Sequence, residues 1–259
     1  MRCLSTLAAH CKALRCVEIN LGGAATAADA SVVEELLDTN NSITDLGLRW
    51  THRNDYDEHR CLLAIGRAGE RIRCLRLAGF DLAPDQPLIM CRRLEVLTIE
   101  SDGGFVHSGV LNCIAASAAT IKELQLLLDN VGDDVSASDF VGLISMCHRL
   151  QYFETSLTNW VTDQVILAIA ENCPFFEALH VPNSCHLLSD ESLVPLAKQC
   201  KSLAILDLTG CDQSQITGKS FSALLRCSRL VVFRCSVPLD GNTELDELMS
   251  AVTARSDLQ

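Results

Sequence analysis

Residues 200–208 read CKSLAILDL, and the same spacing of apolar residues returns nine times along the 259-residue chain. The shared skeleton is x-x-x-apolar-x-x-apolar-x-apolar, and six of its nine copies begin with cysteine. The copies start 22 to 29 residues apart, at positions 11, 40, 69, 91, 118, 147, 173, 200 and 227. A period in this range is typical of a solenoid of stacked repeats, which offers an extended surface for partner binding.

The skeleton predicts one strand and one helix in each repeat. Its seventh and ninth positions are two residues apart, so both side chains point to the same, buried face of a strand. Positions 4, 7 and 9 are apolar in every repeat except at Thr155. Between strands, apolar residues recur at helical spacing after Thr162, Ser189 and Thr217, whose hydroxyls suit a helix N-cap. Each repeat is therefore predicted as a strand, a turn and a helix of about three turns.

Three of the nine repeats lack the cysteine at their first position. The repeats that start at 40, 69 and 118 carry asparagine, glycine and alanine there instead of cysteine. The step from Gly69 to Cys91 is also the shortest, and it contains Pro84 and Pro87. Because proline removes a helical hydrogen bond and clashes with the preceding turn, this segment is predicted as a loop or a single turn.

The stretch 187–211, followed by 216–230, resembles the cysteine-containing subclass of leucine-rich repeats. That subclass has the pattern C-x-x-L-x-x-L-x-L-x-x-C, followed by I-T-D and a helix. The first part is matched by Cys200, Leu203, Leu206, Leu208 and Cys211. The I-T-D place is occupied by Val161-Thr162-Asp163, Leu188-Ser189-Asp190 and Ile216-Thr217. The match is strong over 147–236 and degenerate but in register over 3–146.

This resemblance implies a leucine-rich-repeat solenoid, a right-handed α/β horseshoe of about nine repeats. A parallel sheet is expected on its concave side and helices on its convex side. We expect one domain over 1–259, with a terminal helix at 243–256. The chain starts inside a repeat helix and stops where a tenth strand would begin, so we expect a fragment of a longer protein. The alternative is that the terminal helices themselves serve as caps.

The subclass also resembles the repeat domain of F-box/leucine-rich-repeat proteins, the substrate receptors of SCF-type (cullin) ubiquitin ligases. The resemblance implies a protein-protein interaction module that recognises a protein substrate and has no enzymatic activity. No F-box is present in these 259 residues, so the cullin-ligase adaptor is an expected partner only if an F-box exists upstream. The alternative is a stand-alone leucine-rich-repeat scaffold or cell-cycle regulator without an F-box.

Composition narrows the classes of partner. The net charge is −12, and Lys and Arg occur in nothing longer than pairs such as Arg92-Arg93, which disfavours nucleic acid as a partner. The longest apolar runs, such as 165–170, fall far short of the about 20 residues that span a bilayer, so no membrane partner is expected. Six of the 14 cysteines share one register position, which indicates buried packing. Reduced cysteines favour a cytoplasmic and/or nuclear location.

No catalytic, metal or cofactor site is predicted. The sequence lacks C-x-x-C, the spacing of common zinc sites. His52, Asp55, Asp57, Glu58 and His59 crowd one segment that is more typical of a solvated loop. The neighbours His107-Ser108 and Cys147-His148 lack a visible third group for nucleophilic catalysis. Gly103-Gly104 is predicted as a turn.

The candidate partner-binding residues come from the strand positions that alternate with the buried ones, which are expected on the concave face. They are Glu18, Arg49, Arg76, Thr98, Gln125, Tyr152, Glu154, His180, Asp207 and Arg234. Nine strands at about 4.8 Å each give a surface roughly 40 Å long, and a merely solvated face is the alternative. Trp50 and Trp160 follow strands at the predicted rim, where they serve either as interface anchors or as local packing.

Overall fold

The computed structural model describes residues 6, 10–11, 13–21, 27–50, 55–80, 82, 87–106, 108–131, 135–156, 160–183, 188–211, 214–236 and 242–257. Its nine strands are β1 (Cys16–Leu21), β2 (Asp45–Trp50), β3 (Cys74–Ala78), β4 (Val96–Val106), β5 (Glu123–Val131), β6 (Tyr152–Ser156), β7 (Ala178–His180), β8 (Ile205–Leu208) and β9 (Val232–Cys235). They form one parallel sheet whose hydrogen-bonded order is the chain order. The predicted turn at Gly103-Gly104 is wrong, because both glycines lie inside β4.

Helices alternate with these strands. Those with bounds in the described residues are α1 (Ala27–Thr39), α2 (Asp55–Ala68), α3 (Ser108–Ser117), α4 (Ala137–Ile144), α5 (Asp163–Asn172), α6 (Asp190–Gln199), α7 (Gly218–Leu225) and α8 (Thr243–Ser256). A parallel sheet with helices between successive strands confirms the predicted α/β solenoid fold.

The structure divides into two compact units. Unit 1 is Met1–Ile121 with Leu126–Val135, and unit 2 is Lys122–Gln125 with Ser136–Gln259. That residues 1–259 form a single domain stays a prediction.

The predicted skeleton positions build the core of both units. Leu46 and Leu75 pair in register between β2 and β3, and both are fully buried. In unit 2, Leu206 and Leu208 are 0% and 1% exposed. Each buried leucine stabilises the fold by roughly 1.5–3 kcal/mol before the entropy of ordering is subtracted. Only the first and last repeats are looser, where Val17 and Cys235 are half-buried.

A repeated backbone hydrogen bond fixes the step from one repeat to the next. In unit 1 the N–H groups of Thr44 and Asp45 both donate to the carbonyl of Arg15, at 2.9 Å each. In unit 2 the N–H groups of Gln151 and Tyr152 donate to the carbonyl of Lys122 in the same way, at 2.7 and 3.0 Å. The accepting carbonyl is always at position 5 of the repeat. Further acceptors of this kind are Thr44, Arg73, Gln151, Glu177 and Ala204.

The short repeat of unit 1 replaces its helix by one tight turn. Pro87–Met90 is a 3-10 helix, which confirms the predicted break, while Pro84 lies outside the described residues. This turn packs directly on the end of α2. A Cβ on Gly69 would lie 2.6 Å from the Met90 carbonyl oxygen, and one on Gly66 would lie 2.7 Å from that of Pro87. The backbone approach explains why the first position of this repeat is glycine.

The other two exceptional repeats of unit 1 also have local explanations. Asn40 is fully buried, and its Nδ2 donates at 3.3 Å to the carbonyl of Leu36 near the end of α1, which also accepts from the backbone N–H of Asn40. Before Ala118, the hydroxyl of Ser117 donates to the carbonyl of Cys91 in the preceding repeat. A neighbouring side chain thus makes the contact between repeats that cysteine makes elsewhere.

In unit 2 a column of cysteines connects successive repeats. The thiol of Cys173 donates to the Cys147 carbonyl at 3.4 Å, and the thiol of Cys200 donates to the Cys173 carbonyl at 3.9 Å. All three are fully buried. Burial raises the pKa of Cys147 and of Cys200 to about 12, so these thiols keep the proton that they donate. The predicted role of the column in packing agrees with this arrangement.

In unit 2 a carboxylate at the start of α5 and another at the start of α6 each hold the start of the next helix. Asp163 accepts from the N–H and the hydroxyl of Ser189, at 2.9 and 2.6 Å. One repeat further, Asp190 accepts from the N–H and hydroxyl of Thr217, at 2.8 and 2.5 Å, and from the hydroxyl of Ser220 at 2.6 Å. Burial acts to raise the pKa of Asp190, but the hydrogen bonds from Ser220 and Thr217 outweigh it and hold the pKa below its ordinary value.

The predicted N-cap residues occupy the N-cap positions of three helices. Ser189 accepts from the N–H of Glu191 at 3.2 Å, and Thr217 accepts from that of Lys219 at 3.3 Å. Thr162 precedes α5, but its hydroxyl accepts no hydrogen bond from the start of that helix. The helical starts were therefore predicted correctly, although only two of the three hydroxyls cap.

We expect Gly69→Ala to lower the free energy of unfolding by about 1–3 kcal/mol, because the added methyl group meets a backbone carbonyl that cannot rotate away. The matched control is Gly142→Ala in α4, where an added Cβ meets nothing within 4 Å. Alanine is the better helix former there, so the control is expected to gain about 0.5–1 kcal/mol. Urea denaturation followed by circular dichroism measures both changes. Equal effects of the two substitutions would contradict the close approach at Gly69.

Candidate partner-binding face

Positions 6, 8 and 10 of each repeat lie on the side of the strand opposite the buried positions 7 and 9. We call the side chains at these three positions of β1–β9 the open face. The parallel register sets the same position of neighbouring strands side by side. In unit 1 this gives the row Glu18, Gly47, Arg76 and Thr98. In unit 2 it gives the row Glu154, His180, Asp207 and Arg234.

In unit 2 two polar side chains donate to one carboxylate oxygen. Oε2 of Glu154 accepts from Nε2 of Gln125 at 2.9 Å and from the hydroxyl of Tyr152 at 2.7 Å. The ring of Tyr152 also lies against His180, with 5.3 Å between centroids and 31° between planes. The pKa of Tyr152 is raised to about 12, chiefly by burial and secondly by the hydrogen bond to Glu154. The phenol therefore stays protonated and holds the Glu154 side chain in place by donating to it.

The same row continues around Asp207. Its Oδ1 accepts from the N–H and hydroxyl of Thr209, at 3.0 and 2.6 Å, and its Oδ2 accepts from Nη1 of Arg234 at 3.1 Å. Nδ1 of His180 lies 3.9 Å from Oδ2, which is too far for a hydrogen bond. Burial acts to raise the pKa of Asp207, but Thr209 and Arg234 outweigh it and hold the pKa below its ordinary value. Asp207 thus stays charged and orients Arg234.

In unit 1 the open face carries a small pocket. Arg49 and Glu100 reach across Ala78 from the strands on either side of β3 and form an ion pair at 2.6 Å. Beside this pair lies a pocket of about 100 Å³, and both residues belong to its lining. Its other lining residues include Glu18, Gly47, Arg76 and Ala78. The pocket exists because β2 and β3 present glycine and alanine where larger side chains would fill the space.

The ten candidate residues differ in accessibility. Glu18, Arg49, Arg76 and Arg234 are exposed, and five others are half-buried, namely Thr98, Gln125, Tyr152, Glu154 and His180. Asp207 is only 7% exposed, because its partners cover it. It orients Arg234 and has little accessible surface of its own. The ten residues predicted from the sequence do not include Glu100 or Thr209. Both stand at position 10, and they bind the predicted residues Arg49 and Asp207.

The two tryptophans are not exposed anchors. Trp50 is 3% exposed, and its ring centroid lies 5.8 Å from that of Phe80 at an angle of 59°. Trp160 is 4% exposed and stacks on Phe140, with 3.6 Å between centroids and 6° between planes. Both side chains contribute apolar contacts inside their units. The expected rim site is corrected accordingly, and of the two alternatives local packing is the right one.

The residues considered for other chemistry do not form a site in the described part of the chain. No group of three His, Cys, Asp or Glu side chains there is placed to hold a metal ion. His52 and His107 lie outside the described residues, as do the side chains of Asp55 and Asp57. Cys147 is fully buried with a raised pKa, which disfavours the thiolate that a nucleophile requires.

None of the described helices is both long enough and apolar enough to span a bilayer.

Comparison with known proteins supports the fold. No protein-family model and no curated protein sequence matches the chain. Among solved structures, it is similar to internalin F of Listeria monocytogenes, with 15% identity, a TM-score of 0.55, and coverage of 84% of this chain and 60% of that one. Internalin C2 of the same bacterium has 17% identity and a TM-score of 0.53, with 82% and 84% covered. A Bacteroides fragilis protein has 14% identity and a TM-score of 0.52, with 92% and 70% covered.

These neighbours are leucine-rich-repeat proteins, and this chain shares their fold. The chain spans three fifths of the length of internalin F. At identities of 14–17% the likeness concerns the fold alone.

We expect Asp207→Asn to lower the free energy of unfolding at pH 7 by about 1–3 kcal/mol, because the amide loses charged hydrogen bonds to Thr209 and Arg234. The neighbours lower the folded-state pKa of Asp207 below the unfolded value of about 3.9. The stabilisation is therefore complete above that value and is lost as the pH falls through the folded-state pKa. Urea denaturation of both proteins at pH 7, 5 and 3 measures this. A difference that stays constant down to pH 3 would contradict it.

Proposed function

We propose that this chain is a protein-binding module and that its open face is the binding surface. One observation carries the proposal: the parallel register aligns polar side chains into a row, and hydrogen bonds between neighbours hold that row in place. Arg234 is 60% exposed, yet its guanidinium is oriented by the buried Asp207. A surface that is ordered before binding loses less side-chain entropy when a partner docks. Charges of both signs along the face favour a protein partner over a polyanion.

The finer proposal is substrate recognition for an SCF-type ubiquitin ligase, as part of an F-box/leucine-rich-repeat protein. Its support is the resemblance in sequence, together with the structural use of the residues that carry it. Asp163 and Asp190, at the I-T-D place, each hold the next helix start, and the cysteines connect successive repeats. In this proposal the chain binds the substrate and catalysis belongs to other subunits.

A stand-alone scaffold or cell-cycle regulator without an F-box is the alternative. It uses the same open face and the same fold, and differs only in the fate of the bound partner. A cytoplasmic or nuclear location is part of both proposals, because Cys147, Cys173 and Cys200 act as reduced thiols in the core of unit 2.

We expect charge reversal on the open face to reduce partner binding. Arg76→Glu and Arg234→Glu each place a carboxylate where a partner meets a guanidinium, which is expected to weaken binding about tenfold or more. The matched control is Arg229→Glu, an exposed arginine outside the open face. Proteins captured from cell extract by the wild type and by each variant are compared by quantitative mass spectrometry. Identical sets from all four proteins would contradict binding through the open face.

The two finer proposals differ in the fate of the captured protein. If the chain is a substrate-recognition module, its overexpression without an F-box occupies the substrate, and the half-life of the captured protein lengthens in a proteasome-dependent way. The Arg234→Glu variant is the control and is expected to leave the half-life unchanged. Cycloheximide chase measures both. A captured protein whose half-life stays the same with the wild-type chain contradicts the ubiquitin-ligase proposal and favours the stand-alone scaffold.

A further inference from the structure

The pocket on the open face of unit 1 has a composition that selects its ligand. Its charged lining residues are Glu18, Arg49, Arg76 and Glu100, two acids and two bases. A charged ligand placed among them meets one like charge for every opposite charge, and it also loses its hydration on entry. A neutral ligand avoids the like-charge repulsion, and its smaller hydration cost is offset if it carries a donor and an acceptor of its own.

Two of the four charges are already satisfied by each other. Arg49 and Glu100 stand at position 10 of β2 and β4, two strands apart, with the small Ala78 between them, and they bind each other at 2.6 Å. Glu18 and Arg76 are in the equivalent arrangement at position 8 of β1 and β3, with Gly47 between them. Among the ion pairs of the described residues, none joins these two side chains.

Gly47 lets the Glu18 side chain lie over β2. A Cβ added at Gly47 would be 3.2 Å from Cγ of Glu18, so any larger residue pushes Glu18 aside. The pocket thus presents an acceptor, Glu18, and a donor, Arg76, on either side of a space of about 100 Å³. Because about 10–15 Å³ of such space is enough for one water molecule, the pocket admits a small polar group of several heavy atoms.

We propose that this pocket binds a primary carboxamide, the side-chain terminus of an asparagine or glutamine of the protein partner. The carboxamide has three terminal heavy atoms and no net charge. Its NH₂ group donates to the Glu18 carboxylate, and its oxygen accepts from the Arg76 guanidinium. The proposal rests on the open face being the binding surface, and it adds the residue type that this part of the face recognises.

The test uses the full chain, ¹⁵N-labelled, titrated separately with propionamide, propionate and methylguanidinium. We expect propionamide to cause saturable shifts of the Gly47 and Ala78 amide resonances, with a lower Kd than either charged probe. Glu18→Ala and Arg76→Ala are each expected to raise that Kd about tenfold, because each removes one charged hydrogen bond. Arg229→Ala, at an exposed arginine outside the open face, is the control and leaves the Kd unchanged.

Several outcomes overturn the carboxamide site. They are a lower Kd for propionate or methylguanidinium, equal binding of all three probes, or no saturable shift with propionamide. A Kd that is unaffected by Glu18→Ala and Arg76→Ala also overturns it. Glu18 and Arg76 are exposed residues of β1 and β3, so neither substitution is expected to unfold the protein. A well-dispersed spectrum verifies that each variant is folded. Because no protein partner is present, failure here leaves protein binding by the open face intact, and the capture experiment decides that question separately.

Discussion

In seven of the nine repeats, the described residues show the carbonyl at position 5 accepting two consecutive N–H groups of the next repeat, and this contact sets the register on which the rest depends. It places position 7 against position 7 and position 8 against position 8 in each neighbouring pair described. In a strand, a slip by one residue would turn every buried leucine outward and every polar residue inward. Core burial and the alignment of the open face are therefore consequences of the same backbone contact.

The exceptions to the repeat show which features this register requires. Cysteine is not essential at position 1. Asn40 occupies it in one repeat and donates a side-chain hydrogen bond there, and Gly69 occupies it in another, where a neighbouring carbonyl leaves no space for a Cβ. Even a whole helix is dispensable, because a single 3-10 turn at Pro87–Met90 still delivers the chain to β4 in register. Each repeat must supply a correctly placed strand and an apolar cover for it, and several local structures satisfy that need.

The sequence predicts those features that depend on spacing within one repeat. The burial of Leu206 and Leu208 follows from alternation along a strand, and the N-cap position of Ser189 follows from the helical stripe behind it. The features that sequence analysis missed involve residues from two separate segments. Trp160 is buried because Phe140, in the preceding helix, offers a parallel ring, and no spacing within either segment reveals that.

The sequence likewise predicts some features of the open face and not others. Period alone places Glu154 and Arg234 on one face, but the role of Asp207 depends on which side chains cover it. The pocket of unit 1 depends on the coincidence of Gly47 and Ala78 in adjacent strands. Each is an ordinary small residue in its own repeat. Only the lateral pairing of β2 with β3 makes them neighbours, and this pairing gives the face a concave feature that the position-8 residues alone do not reveal.

The cysteine column of unit 2 has a consequence for how the fold opens. The sulfur of Cys173 is enclosed between its own repeat and the carbonyl of the one before it, so a thiol-modifying reagent reaches it only after those two coils have parted. When reclosing is faster than the reaction, its rate of alkylation equals the fraction of time that the two are parted multiplied by the rate for an accessible thiol. Cys147, Cys173 and Cys200 are spaced one repeat apart, so their relative alkylation rates report the order in which the repeats separate.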